Sequence, residues 1–245
     1  MNETHSTGGL ARLGLGRREL RSWALYDWAN SAMVTVIVTA VFPIYYSSVA
    51  CAGVPANIAT FRYGLVSTLG LILVALSAPI LGAIADYSHL KKQMLALFAY
   101  VGAFATMGLY FLDGGNYLLG GILFVIANLS FGASVVIYNA FLPEIATPDE
   151  RNHVSSMGWA TGYLGGGLLL ALNLLLFSRA STFGVTSSEA VRISLASAGL
   201  WWAVFTPIPL LTLRRRQPAK SLRPGEGYLS VGFKQLRHTL GKVRD

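Results

Sequence analysis

Charge is absent from six long segments of this chain, and that spacing constrains the fold more than any other feature. No charged residue lies between Asp27 and Arg62, and five more uncharged segments follow along the chain. About 20 apolar residues in a helix cross the hydrocarbon core of a bilayer, whereas a buried strand needs only about 4–8. A backbone in lipid must also satisfy its own hydrogen bonds, as a helix does. The sequence therefore predicts six membrane-spanning helices.

The predicted fold is an all-α membrane protein, a bundle of six transmembrane helices. Hydrophobic residues make up 53% of the chain and charged residues 12%, about half the usual charged share, which argues against a soluble domain. A segment of residues 1–21 precedes the bundle, and a basic linker of residues 214–245 follows it. The six helices are predicted at about 22–47, 63–85, 93–112, 116–142, 148–178 and 192–213.

The linker contains an amphipathic segment, from Tyr228 to Val243, in which apolar and basic residues alternate at helical spacing. This pattern favours a helix on the membrane surface over a helix that binds a calmodulin-like partner.

Basic residues are concentrated on one side of the predicted bundle. Six helices place both termini on that side, with the loops at 86–92 and 143–153, and it holds sixteen of the nineteen Lys and Arg residues. The positive-inside rule makes this side, with both termini, cytoplasmic. The net charge of +8 is thereby explained by topology. Arg214, Arg215 and Arg216 are interpreted as a stop at the membrane surface rather than a phosphate-binding patch, and no nucleic-acid partner is expected.

Other classes of segment and site find little support in the sequence. The first helix is too long for a signal peptide, contains Asp27 and has no small-residue cleavage site after it. The four histidines lie at predicted loops or helix ends, without metal-ligand spacing, and no Gly-rich phosphate loop is present. Cys51 is the single cysteine, so a cysteine cluster is excluded. We therefore predict no enzyme, no metal site and no cofactor.

Polar side chains of the first helix recur at steps of three and four residues, which places them on one face. An ionisable residue in a membrane helix indicates function, although Asp27 could instead lie at headgroup depth and bond only the helix start. Tyr26 and Trp28 beside it are expected to be interfacial anchors or substrate contacts. For each Asn and Ser, an interhelical hydrogen bond is the alternative role. The residues predicted to line a substrate or proton pathway are Asp27, Asn30, Ser31, Asn128, Asn139 and Tyr163.

Glycines recur in the fifth helix and predict a close helix contact. Small residues allow two helix backbones to approach, and consecutive glycines also weaken helix rigidity. The predicted packing glycines are Gly158, Gly162, Gly166 and Gly167.

The loop after the second helix resembles a known motif. The string GAIADYSHLKK, residues 82–92, is similar to the loop motif of the major facilitator superfamily, and the six helices with a basic tail resemble the N-terminal half of such a transporter. The resemblance implies a gating loop that contains Gly82, Asp86, Lys91 and Lys92. In that loop Asp86 would accept hydrogen bonds from a helix N-terminus of the other half.

Two further strings, YDWANSA at 26–32 and NAFLPEI at 139–145, resemble the vacuole effluxer family of this superfamily, which includes bacterial members and fungal vacuolar amino-acid exporters. The resemblance implies a secondary transporter of a small polar solute, with amino-acid efflux as one possibility, working by alternating access in a bacterial inner membrane. Its implied partners are the lipid bilayer, the solute and a C-terminal six-helix half absent from this chain. The alternative is a non-transporting assembly component, or a half-size protein that acts only as an oligomer.

Overall fold

A computed structural model describes residues 14–214, 226–228 and 230–234, together with 237 and 241. Within these residues all regular secondary structure is helical, and six helices are long and apolar enough to cross a membrane, which confirms the predicted all-α fold. Much of the predicted N-terminal segment and most of the linker lie outside the described residues. The helices are α1 (Arg18–Ala50), α2 (Ala56–Tyr87), α3 (Lys91–Phe111), α4 (Tyr117–Ile145), α5 (Pro148–Ser178) and α6 (Ser187–Thr212).

Four helices begin earlier than the charge pattern predicted, and the difference is largest for α2 and α6. α2 begins at Ala56, so Arg62 lies inside the helix and not in the loop before it. α6 begins at Ser187 because Thr186 caps it: its side chain accepts a hydrogen bond from the backbone N–H of Glu189 at 3.2 Å. The Glu189 carboxylate in turn accepts from the backbone N–H of Thr186 at 2.8 Å, which completes a capping box. Both extra segments contain polar residues and extend beyond the uncharged stretch.

The middle of α1 is wound more widely than an α-helix. Residues Met33–Val41 form π-helical turns, and α-helix resumes at Phe42. Pro43 has no N–H to donate to the preceding turn, so the regular hydrogen-bond ladder cannot pass through this point. Such wide turns frequently occur at functional sites.

α1 is the central helix of the bundle. It packs mainly against α5 and also against α6, while α3 packs between α4 and α6, and α2 packs on α4. Tyr26 is fully buried in this core, where its hydroxyl lies 3.4 Å from the indole nitrogen of Trp202. The expectation that Tyr26 is an interfacial anchor or a substrate contact is therefore wrong: α6 covers that face of α1.

The start of α1 and the end of α6 lie at the same end of the molecule. The Ser22 hydroxyl donates to the carbonyl of Ile208 at 3.1 Å, and Lys92 Nζ donates to the carbonyl of Leu213 at 3.1 Å. We call this the terminal end, and the other the opposite end. In the described part of the linker, Gly232 lies against Ile80 of α2, near the terminal end.

Candidate functional site

A cavity of about 290 Å³ lies between α1, α4 and α5, in the half of the bundle nearer the terminal end. Aromatic side chains form much of its wall, and polar side chains of α1 enter it from one side. Residues from the sequence-predicted pathway that line this cavity are Asp27, Asn30, Ser31, Asn139 and Tyr163. The structure thus brings these side chains together; their role in transport stays a prediction.

Asn128, the sixth predicted pathway residue, does not line the cavity. It lies on the same face of α4 as Val135, but seven residues, or about two turns, farther from the terminal end. There Gly70 allows α2 to pack closely: a Cβ on Gly70 would lie 3.5 Å from Asn128 Nδ2. Asn128 is therefore half-buried at the contact between α2 and α4, outside the cavity lining, and its predicted place in a pathway stays a prediction.

The carboxylate of Asp27 is held by an aromatic residue of α4. Tyr138 donates its hydroxyl to Asp27 Oδ2 at 2.8 Å. Tyr138 is itself fixed because Trp23 stacks on its ring at 4.2 Å between centroids and donates its indole N–H to the Tyr138 carbonyl at 3.1 Å. Asp27 therefore does more than bond the start of α1: it connects α1 to the end of α4 at the cavity wall.

Asp27 is partly buried, and none of the ion pairs within the described residues involves it. Removing a carboxylate from water is costly inside a membrane protein, and such residues commonly mark ion, proton or substrate pathways. A carboxylate with a hydroxyl donor and no basic partner can take up a proton or bind a cation.

Asn30, which also lines this cavity, has a side-chain donor without a hydrogen-bond partner. Its side chain is only 2% exposed, and its Nδ2 has no hydrogen-bond partner. A buried donor without an acceptor costs free energy, about 1–3 kcal/mol. An acceptor group of a solute in the cavity would recover that free energy.

Glycines of α5 create the space that the polar side chains of α1 occupy. A Cβ on Gly158 would lie 2.6 Å from Asp27 Oδ2, and one on Gly162 would lie 3.2 Å from the carbonyl oxygen of Asp27. A Cβ on Gly166 would collide with Thr35 and lie 3.0 Å from the carbonyl oxygen of Ser31. These three predicted packing glycines do lie in a close contact between α1 and α5.

Gly167 is not part of that contact. No atom lies within 4 Å of the position that its Cβ would take, because one residue further along the helix turns it by about 100° away from α1. Gly165, one residue before Gly166, packs instead: its Cβ would lie 2.7 Å from the carbonyl oxygen of Trp28. The prediction for Gly167 is therefore wrong.

The predicted gating loop lies at the terminal end. Gly82 is next to α4, where its Cβ would lie 3.8 Å from Val136, and Asp86 lies half-buried in the last turn of α2. Lys91 is buried and forms an ion pair with Glu144, while its Nζ lies 3.4 Å from the carbonyl of Ala140. Lys91 thereby attaches the first turn of α3 to the end of α4.

Sequence reasoning missed several partners in these networks. Tyr138 and Trp23 hold Asp27, and Glu144 pairs with Lys91, yet each partner lies far from its counterpart along the chain. Only the position of Tyr138 next to Asn139 hinted at its role. Arg151, in the first turn of α5, donates to the carbonyls of Pro143 and Ala146 at 3.3 and 3.4 Å.

Large aromatic side chains of α5 remain exposed at the cavity rim. Trp159 is 65% exposed and Tyr163 is 71% exposed, and their ring centroids lie 6.1 Å apart. Helices α1, α4 and α5 therefore enclose the cavity in part, and its rim carries exposed aromatic side chains of α5.

Comparison of the chain with known proteins identifies a family with which it shares sequence. The model of the family described as "Vacuole effluxer Atg22 like" matches residues 52–245. An uncharacterized MFS-type transporter of Bacillus subtilis is 34% identical over 233 residues, covering 93% of this chain and 53% of the relative. Autophagy-related protein 22-1 of Penicillium rubens is 27% identical, over 78% of this chain and 43% of the relative.

A third relative, autophagy-related protein 22 of Gibberella zeae, is 24% identical over 93% of this chain and 50% of its own length. The chain thus spans about half the length of the curated relatives it matches. No solved structure matches it significantly. Since the family model covers most of the chain, this six-helix membrane protein belongs to the vacuole effluxer Atg22-like family.

Proposed function

We propose that this chain supplies one half of a secondary active transporter that moves a small polar solute by alternating access. The observation that carries the proposal is the cavity between α1, α4 and α5, which holds a carboxylate without a basic partner and a buried amide without an acceptor. In transporters built of two helix bundles, the solute site lies at the interface of the halves, and each half contributes to it. The open aromatic rim is where the second half would complete the cavity.

An amino acid is the solute class that these groups suit best. Asp27 offers an acceptor for an ammonium group, and Asn30 Nδ2 offers a donor for a carboxylate. The two residues are three positions apart on α1, so their Cβ atoms are about 5–6 Å apart, near enough to hold both charged groups of one small zwitterion. The aromatic wall, with Trp23 and Trp159, would contact the rest of the solute.

Asp27 is also the group that couples transport to a proton gradient in this proposal. The ionised carboxylate binds either the ammonium group of the solute or a proton. Once it is protonated, it no longer attracts the ammonium group and keeps only its hydrogen bond with Tyr138. Helix α1 carries the residue, and the α1–α5 glycine contact places it at the cavity wall. Efflux against a gradient then requires that proton entry and solute release alternate at this carboxylate.

The test is a transport assay on the full-length protein in proteoliposomes with an imposed pH gradient. A panel of radiolabelled amino acids and other small polar solutes is tested first, and at least one is expected to move in a gradient-dependent way. Asp27→Asn keeps the size of the side chain and removes its charge, so coupled movement should fall to background. Asp113→Asn is the matched control, because Asp113 lies at the opposite end, where its side chain bonds the backbone N–H of Gly114.

Coupled transport at the wild-type rate in Asp27→Asn would reduce Asp27 to a structural residue. If the wild-type protein moves other solutes of the panel but no amino acid, the amino-acid part of the proposal fails. A protein that folds and moves no solute at all would favour the alternative, a membrane component without transport activity.

A further inference from the structure

A second apolar groove lies outside the solute cavity, between α2 and α4 near the opposite end. Its volume is about 320 Å³, and its walls are aliphatic side chains of both helices with an arginine and tyrosines at one end. Leu65, Leu118 and Ile122 along it are each more than half exposed. Gly121 keeps its floor deep, because a Cβ there would lie 3.1 Å from Val66.

The groove opens away from the solute cavity. On α4, Ile122 lines the groove and Phe131 lines the cavity. Nine residues separate them, which is about two and a half helical turns, so the two side chains point to opposite sides of α4. The exposed side chains that line the groove are apolar and belong to membrane-spanning helices, so the groove faces lipid.

A positive charge closes one end of the groove. The guanidinium of Arg62 lies 3.8 Å from the centroid of the Tyr117 ring, and none of the ion pairs within residues 14–214 involves it. The two acids in the described loops and helix starts of this end are used elsewhere. Asp113 accepts from the backbone of Gly114, and Glu189 belongs to the capping box of α6. Stacking on a ring leaves the N–H donors of Arg62 free for an anion.

The depth of Arg62 matches a lipid phosphate. α2 has 32 residues and is therefore about 48 Å long, about 18 Å more than the hydrocarbon core of a bilayer. Arg62 is the seventh residue of α2, about 9 Å from its start, so with the excess length shared equally between both ends it lies at the hydrocarbon boundary. Tyr117, at the first turn of α4, lies where interfacial aromatic residues are enriched.

The length of the groove matches one acyl chain. From Tyr117 to Ile126 the groove follows nine residues of α4, about 14 Å, and one leaflet contributes about 15 Å of hydrocarbon. We infer that this groove is a binding site for an anionic phospholipid of the leaflet at the opposite end, with its phosphate on Arg62 and one acyl chain between α2 and α4. The inference does not rest on the proposed transport activity.

The inference is tested by native mass spectrometry of the delipidated full-length protein. Phosphatidylglycerol and phosphatidylcholine with the same acyl chains are titrated separately. The electrostatic attraction between one basic residue and an anionic lipid surface predicts that phosphatidylglycerol binds about fivefold more tightly than phosphatidylcholine. Arg62→Gln should remove this preference. Arg179→Gln is the matched control, since Arg179 is an exposed arginine of the same end and lies outside the groove, and it should keep the preference.

A second variant tests the acyl-chain part. Ile122→Trp fills the groove from its exposed edge, so it should weaken both lipids while Arg62 is intact, and thermal unfolding verifies that the variant is folded. Equal lipid preference in Arg62→Gln and Arg179→Gln would overturn the inference. Displacement of phosphatidylglycerol by inorganic phosphate would do the same, because the site would then bind a free anion. Unchanged lipid binding in Ile122→Trp would show that no chain lies between α2 and α4.

Discussion

At the scale of single residues, the environment of Asp27 shows how a membrane helix can hold a carboxylate. Its acceptor is satisfied in part by Tyr138, and Tyr138 is fixed by Trp23 through stacking and a backbone hydrogen bond. The space for the carboxylate exists because residue 158 has no side chain. Glycine at this position therefore leaves room for a carboxylate, in addition to the close approach of two helices that glycines usually allow.

Gly158→Ala is expected to destabilise the protein, because the new Cβ would lie 2.6 Å from Asp27 Oδ2 and 2.9 Å from the Trp23 ring. Overpacking of this kind typically costs about 1–3 kcal/mol. The matched control is Gly167→Ala on the same helix, where no atom lies within 4 Å of the new methyl group. There, alanine should be neutral or stabilise by about 0.5–1 kcal/mol through helix propensity.

The measurement is thermal unfolding of the full-length variants in one detergent, combined with the transport assay. Gly158→Ala should lower the unfolding temperature and transport together, while Gly167→Ala should leave both intact. Equal unfolding temperatures for the two variants would contradict the assignment of Gly158 to the α1–α5 contact.

At the scale of secondary-structure elements, the buried ion pair Lys91–Glu144 joins the start of α3 to the end of α4 at the terminal end. The two side chains are only 9% and 15% exposed, in contrast with the pair of Arg17 and Glu150, whose side chains are 54% and 41% exposed. Burial makes the first pair costly to break, because the Glu144 carboxylate would lose the ammonium group of Lys91 in a desolvated place. The second pair is largely screened by water.

Lys91→Met should therefore lower the free energy of unfolding by about 3–5 kcal/mol. Arg17→Met, which breaks the exposed pair, should cost less than about 1 kcal/mol. The double variant Lys91→Met with Glu144→Gln should regain much of the loss, since it also neutralises the buried carboxylate. Chemical or thermal unfolding of the three variants measures these differences. A cost for Lys91→Met as small as for Arg17→Met would show that this pair does not stabilise the terminal end.

The helices themselves were predictable because uncharged segments long enough to span a bilayer leave few alternatives. Their ends were less predictable. A charge at Arg62 was interpreted as the limit of α2, although a helix continues through it into the headgroup region. Helical spacing also placed Asp27, Asn30 and Ser31 on one face correctly, because such spacing is local to one helix.

What spacing could not provide is the position of one helix against another. Asn128 shares a face of α4 with Val135, yet it lies beside Gly70 of α2 and does not line the cavity. Tyr138 and Asp27 are 111 positions apart, and Lys91 and Glu144 are 53 apart. Such contacts depend on how the six helices are arranged, which the pattern of a single sequence does not contain.

At the scale of the whole molecule, two exposed faces differ in what should cover them. The rim of the cavity carries Trp159 and Tyr163, both strongly exposed aromatic residues with polar groups. The outer face of α3 instead carries purely apolar side chains such as Leu97 and Phe104, which are 59% and 63% exposed. In the proposed two-half transporter the first face borders an aqueous pathway, while the second contacts only lipid.

Cysteine labelling of the full-length protein distinguishes these faces. Each of the four exposed residues is changed singly to cysteine in a Cys51→Ser background, which removes the buried native thiol. A membrane-impermeant maleimide needs water at the thiol, so it should label positions 159 and 163 and leave positions 97 and 104 unlabelled. Added solute should lower the labelling at 163, because it occupies the cavity that this residue lines. If positions 159 and 163 are as inert as those of α3, the rim faces lipid, and this half cannot form a solute pathway through the proposed cavity.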